Sequence, residues 1–227
     1  MQKNSRWHPL ENADQVAVAV YQRILAAANQ SIQERGCFKL VLAGGSTPDK
    51  IYRMLAAADA DWANWYIFYG DERCLPSDHV ERNSVMAASA WLDRVAIPDR
   101  QINTIPAEFG PDIGADRYRD IVAKALPFDL VLLGMGEDGH TASLFPGQKH
   151  LKDELVHSVY NSPKPPLERV SISAKALSDT RQLLFIVTGC SKRDAVRQWR
   201  DGDDLPVAGI EPANGIDIFI DREASPE

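Results

Sequence analysis

Phe128-Asp129-Leu130-Val131-Leu132-Leu133 runs directly into Gly134-Met135-Gly136-Glu137-Asp138-Gly139-His140-Thr141-Ala142-Ser143-Leu144-Phe145-Pro146-Gly147. Five of the first six residues are apolar, and the run is short and follows Pro127, so it reads as a buried strand. The glycines then deliver a carboxylate and an imidazole together at its carboxyl end. In open α/β sheets, ligands bind at such ends. The glycine spacing also fits Gly-x-Gly-x-x-Gly, the dinucleotide fingerprint. That fingerprint should open a long helix within a βαβ unit. Here Pro146-Gly147 breaks any helix soon after Gly139, and the motif lies past the middle of the chain. Asp153 and Glu154 stand near the expected acidic spacing, but no convincing strand precedes them. A dinucleotide cradle is rejected.

Working outward, short apolar runs alternate with helical patterns. Residues 13–30 place Val16, Val20, Ile24, Leu25 and Ala28 at helical spacing. Strands are expected at 39–43, 65–69, 102–105, 129–133, 155–160, 169–173, 182–187 and 216–220. Helices are expected through Leu55, from Asn83 as cap to about Val95, over 113–126 and over 191–199. Gly70-Asp71-Glu72-Arg73 reads as the break after the second strand. The alternation implies an open, mostly parallel, Rossmann-like α/β sheet with helices on both faces. The Pro-rich stretch Asn161-Ser162-Pro163-Lys164-Pro165-Pro166 reads as an extended surface loop. Too little chain follows it for a second unit, so residues 1–227 are expected to form one domain.

The chain has 227 residues, 44% hydrophobic and 25% charged, with a formal charge of -7. That charge, with no basic tract to offset it, argues against a nucleic-acid partner. It leaves room for a small anion held by a few focused cations. Cys37, Cys74 and Cys190 are odd in number and far apart, with neither a disulfide framework nor zinc spacing. They read as thiols in a reducing compartment. No signal peptide is visible, and no apolar run approaches the roughly 20 residues of a membrane span. A cytoplasmic protein without a membrane partner is expected.

Three loops carry chemistry. Gly44-Gly45-Ser46-Thr47-Pro48 links a strand to a helix; Pro48 suits the first helical position. Free N–H groups and two hydroxyls there suit an anion, most naturally phosphate; a capped helix without a ligand is the plainer alternative. Asp71-Glu72-Arg73 is either a surface turn with a local ion pair or part of the same cleft. Asp138-Gly139-His140 sets a carboxylate beside the most frequent general base; a capping Asp and a structural His are the alternative. His8, His79, His150 and His157 lack such context and read as surface residues. Arg169 and Lys192 follow or open other strands and are candidate partners for a phosphate. Three such loops in one α/β chain would converge on one cleft.

Taken together, these segments resemble the 6-phosphogluconolactonase family and, more broadly, the sugar-phosphate isomerase and deaminase fold. The matching blocks are residues 42–48, residues 70–76 with Asn83, residues 133–147, residues 169–173 and residues 188–192. They span most of the chain in family order. The Asp-Gly-His block is specific, whereas Gly-Gly-Ser-Thr-Pro is shared with the deaminases. The resemblance implies hydrolysis of 6-phospho-D-glucono-1,5-lactone to 6-phosphogluconate in the oxidative pentose phosphate pathway. It implies His140 as general base, Asp138 to tune or orient it, and Arg73, with Asp71 beside it, at the substrate. Gly44, Gly45, Ser46, Thr47, Arg169 and Lys192 would hold the phosphate, with Asn83 nearby. It implies no metal and no cofactor, with the phosphosugar lactone as the small-molecule partner. A monomer is expected, with an oligomer left open.

The family's usual Ser-Asn after the Asp-Glu-Arg block is here Arg82-Asn83-Ser84, which leaves the role of Asn83 open. Residues 201–214 do not align with the family. The nearest rival, glucosamine-6-phosphate deaminase, continues after Asp-Gly-His with Asn-Glu-Pro. Here Leu144-Phe145-Pro146 supplies no acid, which favours the lactonase. A non-catalytic sugar-phosphate sensor is a further rival, opposed by His140 and Arg73.

Overall fold

The computed structural model describes residues 4–149, 151 and 153–226. In chain order these form β1 (Ser5–Leu10), α1 (Ala13–Arg35), β2 (Phe38–Leu42), α2 (Ser46–Leu55), β3 (Trp65–Tyr69) and β4 (Asp71–Arg73). Then come α3 (Asn83–Ala90), β5 (Ile102–Asn103), α4 (Pro111–Ala125), β6 (Phe128–Gly134), β7 (Val156–Val159) and β8 (Arg169–Ile172). α5 (Ala174–Ser178), β9 (Thr180–Val187), α6 (Arg193–Asp201) and β10 (Ile216–Asp221) complete the chain. Seven strands pair in the order β1-β10-β9-β6-β2-β3-β5, every neighbouring pair parallel.

The expected parallel sheet is present, flanked by helices. Its central strands are buried along their length; six of the seven residues of β6 are buried. A parallel sheet covered on both faces requires such apolar runs. The α1 helix is the longest cover. Its amino end is capped by Asn12 Oδ1, which accepts from the Asp14 and Gln15 amides at 3.1 and 3.0 Å. It buries Val16, Val20, Ile24 and Ala28 against the sheet. Burying each of the Val and Ile side chains is worth about 1.5–3 kcal/mol.

Three expectations change. First, not all strands join one sheet. Asp71–Arg73, read as a break, is β4, and with β8 and β7 it makes a separate antiparallel sheet in the order β4-β8-β7. Second, β1 was not anticipated. It is an edge strand of mixed polarity interrupted by Pro9, and proline is tolerated there because one edge N–H needs no partner. Third, Asn83 does not cap α3. Glu72, fully buried, accepts from the Asn83 and Ser84 amides at 2.8 Å each and caps the helix from a neighbouring strand. The helix ends at Ala90 rather than near Val95.

One of the histidines also differs from expectation. His157 is buried in β7, with Nδ1 at 2.9 Å from Glu154. His8 is half-buried and shares Asp217 with two arginines. His79 is half-buried and accepts from the Glu81 amide; His150 lies outside the described residues.

Asp217 opens β10 at the amino ends of the strands. Arg6, His8 and Arg23 approach it at 2.8, 2.7 and 3.0 Å. Burial raises its carboxyl, but hydrogen bonds from Arg6 and His8 and the charge of Arg23 outweigh burial and hold it at about 2. A depressed folded value stabilises above the unfolded value and is lost as pH falls through the folded one. Asp217→Asn is therefore expected to lower stability at pH 7 by roughly 1–2 kcal/mol, since its partners are half-exposed. It should also flatten the acid loss between about pH 4 and pH 2. Urea unfolding across that range checks this; equal stability of the two proteins at pH 7 would contradict it.

Candidate active site

The chain runs outward from β2 through β3 to β5, returns to β6, then runs the other way through β9 to β10. The order therefore reverses between β2 and β6. At such a reversal the loops leave in opposite directions and open a crevice beyond the carboxyl ends. A cleft of about 410 Å³ lies there, lined from the loops after β2, β3, β6 and β9.

Buried polar side chains tie each of these strand ends. Tyr52 of α2 donates to the Ala43 carbonyl at 2.8 Å and accepts from the Ala43 amide at 3.1 Å, fixing the exit of β2. Tyr118 of α4 accepts from the Tyr69 amide at 2.9 Å and fixes the exit of β3. Thr141 donates to the Gly134 carbonyl at 2.8 Å and folds the loop after β6 back on its strand. Asp221 accepts from the Gly189 amide at 3.0 Å and holds the loop after β9.

After β2, Gly45 precedes α2 and no side chain caps the helix. The Ser46 and Thr47 amides at this amino end have no helical acceptor and meet the positive end of the helix dipole. Thr47 Oγ1 stands 2.8 Å from Thr188 Oγ1 across the cleft floor. Half-buried Lys192 follows, its ammonium lowered by burial and by the charge of Lys164.

After β6 the chain turns tightly, with the Gly136 amide donating to the His140 carbonyl at 2.8 Å. This brings His140 Nδ1 to 2.5 Å from Asp138 Oδ1, which also accepts from the His140 amide at 3.2 Å. Burial lowers the imidazole from its ordinary value, while Asp138 pulls the other way. Burial raises the Asp138 carboxyl, but its bond with His140 and the ring's charge win and leave it lowered. The ring packs on Phe145 at 4.7 Å between centroids. Its Nδ1 is occupied by Asp138, and His140 lines the cleft.

A third group stands opposite. Asp71 accepts from Ser143 Oγ at 2.6 Å and from Asn83 Nδ2 at 3.1 Å. Arg73 lines the cleft and donates to the Glu81 carbonyl. Arg169 is buried, and its Nε and Nη2 donate to the carbonyls of Pro166, Lys164 and Pro165 at 3.2, 3.0 and 3.1 Å. Burial lowers its guanidinium, opposed by the charge of Asp71.

The glucosamine-6-phosphate isomerase/6-phosphogluconolactonase family profile matches residues 11–219. The chain belongs to the glucosamine-6-phosphate isomerase/6-phosphogluconolactonase family. It is similar to the 6-phosphogluconolactonase of a Nostoc species, 35% identical over 219 residues, covering 90% of each chain. It is similar to that of Mycobacterium leprae, 35% identical over 228 residues, covering 91% of this chain and 92% of the relative. A crystal structure of the Thermotoga maritima 6-phosphogluconolactonase superposes with a TM-score of 0.89 at 26% identity, covering 96% and 100% of the two chains.

In this family member the cleft gathers Gly44, Gly45, Ser46, Thr47, Asp71, Arg73, Asn83, His140, Arg169 and Lys192. Asp138 stands behind His140 rather than in the lining. Four contributors escape sequence reasoning. Glu72 organises α3, Ser143 links Asp71 to Arg169, Phe145 backs the imidazole, and Lys164 enters from the proline loop. Only Lys164 had a signal, a lone lysine between prolines. Residues 201–214, which carry none of the matching motif blocks, supply Leu205 against Gly139 and a Val207 amide to the Gly139 carbonyl at 3.2 Å. Among the described residues, no group of three or more His, Cys, Asp or Glu side chains is arranged to hold a metal ion. No helix there is long and apolar enough to cross a membrane.

Two glycines of the cleft lining are required by close approach. A Cβ on Gly44 would lie 2.2 Å from Asn83 Oδ1, and one on Gly136 would lie 2.0 Å from His140 Nδ1. Gly136→Ala is therefore expected to drive the imidazole off Asp138 at a stability cost of about 1–3 kcal/mol. The readout is the low-field Nδ1 proton resonance of His140, which should vanish from a protein that remains folded. Its survival at the wild-type position would contradict the assigned contact.

Proposed function

We propose that this chain hydrolyses 6-phospho-D-glucono-1,5-lactone to 6-phosphogluconate, a step of the oxidative pentose phosphate pathway. The observation that carries the reading is one cleft that holds an uncapped helix start and, on its wall, His140 half-buried against Asp138. The first suits a phosphate, and the second suits a base acting on water.

Asp138 accepts a hydrogen bond from Nδ1–H, which keeps the imidazole proton on Nδ1 and leaves the Nε2 lone pair of His140 for catalysis. His140 takes a proton from water as the oxygen attacks the lactone carbonyl carbon. When the tetrahedral intermediate collapses, the bond from that carbon to the ring oxygen breaks. The imidazolium then returns the proton to the ring oxygen. The product acid ionises and releases one proton to solution. The lactone is an activated ester, so the chemistry needs no cofactor. The Ser46 and Thr47 amides and Lys192 receive the phosphate beside Gly44 and Gly45. Arg73 holds the sugar portion. Asp71, fixed by Ser143 and Asn83, orients substrate hydroxyls, and Arg169 braces the wall through the loop it binds. Phe145 packs on His140 where a deaminase would carry an acid, which argues against ring-opening chemistry.

Burial keeps His140 neutral, hence competent as a base, near neutral pH. The rate should rise with pH through a midpoint below 6.5 and then level off. His140→Ala is expected to lose about 10²–10⁴-fold in kcat/KM. Asp138→Asn should lose activity and also move the midpoint lower, because it removes the groups that raise the imidazole. Acid release from lactone generated in situ, with spontaneous hydrolysis subtracted, measures both. Full activity in His140→Ala would sink the assignment, and ammonia release from glucosamine 6-phosphate would redirect it.

A further inference from the structure

We propose that Lys164 is a substrate-binding residue, whose ammonium leaves Glu137 to share the phosphate of the ligand with Lys192. The inference rests on the reading of the cleft as a phosphosugar site. It assigns a role to a loop that sequence alone presents as inert surface.

The backbone of Lys164 is held from both sides. Its amide donates to Ser162 Oγ at 3.3 Å, and its carbonyl accepts from the same hydroxyl at 2.8 Å and from Arg169 at 3.0 Å. Arg169 binds the next two carbonyls as well. A buried arginine that spends its donors on three consecutive carbonyls fixes the position of that loop. The side chain is held less firmly. Its ammonium reaches the cleft wall and donates to Glu137 at 3.0 Å, and both side chains are about half exposed. Such an ion pair is weak and exchangeable.

Four cations line the cleft: Arg73, Lys164, Arg169 and Lys192. Arg169 is committed to the loop, and Arg73 donates to a carbonyl. Among the described residues Lys192 makes no ion pair, and it senses the charge of Lys164, opposed by those of Glu137 and Asp138. Two neighbouring ammonium groups, one loosely paired, gain most from a dianion bound between them. Glu137 then acts as a competitor that parks Lys164 in the empty site.

The test is calorimetric titration of the whole protein with 6-phosphogluconate and with inorganic phosphate. Lys164→Met should weaken both by roughly tenfold, the value of one charge-assisted contact. Lys164→Arg should recover most of that loss. Glu137→Gln should act in the opposite direction and tighten both ligands, which a merely structural role for Lys164 would not produce. Affinity within twofold of wild type in Lys164→Met, or no phosphate binding by wild type at all, would overturn the proposal. The titration is independent of turnover. Lys164-dependent phosphate binding without lactone hydrolysis would uphold this inference while refuting the proposed reaction.

Discussion

Parallel pairing of β2 with β6, through Leu40 with Leu130 and Val41 with Val131, is the contact on which the cleft depends. These strands are far apart in sequence, and each begins a run of strands laid outward in opposite directions. The reversal leaves no crossover helix above their shared carboxyl end. The gap is therefore a consequence of chain order, before any functional side chain is considered. What fills its rim is then decided by the residues that follow each strand. The helix start after β2 and the imidazole after β6 are neighbours because their strands are hydrogen-bonded.

Holding these loops still is a separate problem, and the chain solves it with buried polar groups. Tyr52, Tyr118, Thr141 and Asp221 each satisfy backbone groups where a strand ends. Burial drives both tyrosine hydroxyls far above their ordinary value, so they stay protonated and remain donors. The small sheet adds a second layer of support. Its β4 strand carries Asp71 and Arg73 into the cleft while sending Glu72 into the interior to cap α3. Alternation along a strand explains why three adjacent charged residues have different fates.

The parts legible in the sequence share one property: their physics is local. Parallel strands buried on both faces must be apolar runs, so β2, β3, β6, β9 and β10 stand out. Asp138 and His140 are two residues apart, and their pairing needs only a tight turn. The parts that escaped depend on distant partners. β4 is Asp-Glu-Arg, with no apolar pattern, and is a strand only because β8 lies beside it. Asn83 has the chemistry of a cap, but its amide is drawn to Asp71 by a strand 12 residues away. Arg169 binds backbone carbonyls, which leave no mark on residue identity, so the fixed position of Lys164 was invisible.

The proposed reaction divides the cleft, with anion binding at the α2 amino end and base chemistry at His140. A crystal structure with 6-phosphogluconate bound tests it most directly. The phosphate should accept from the Ser46 and Thr47 amides, and a carboxylate oxygen, standing where the attacking water was, should lie about 2.6–3.2 Å from His140 Nε2, as a general base requires. A ligand bound in the reverse sense, or with its carboxylate remote from His140, would contradict it.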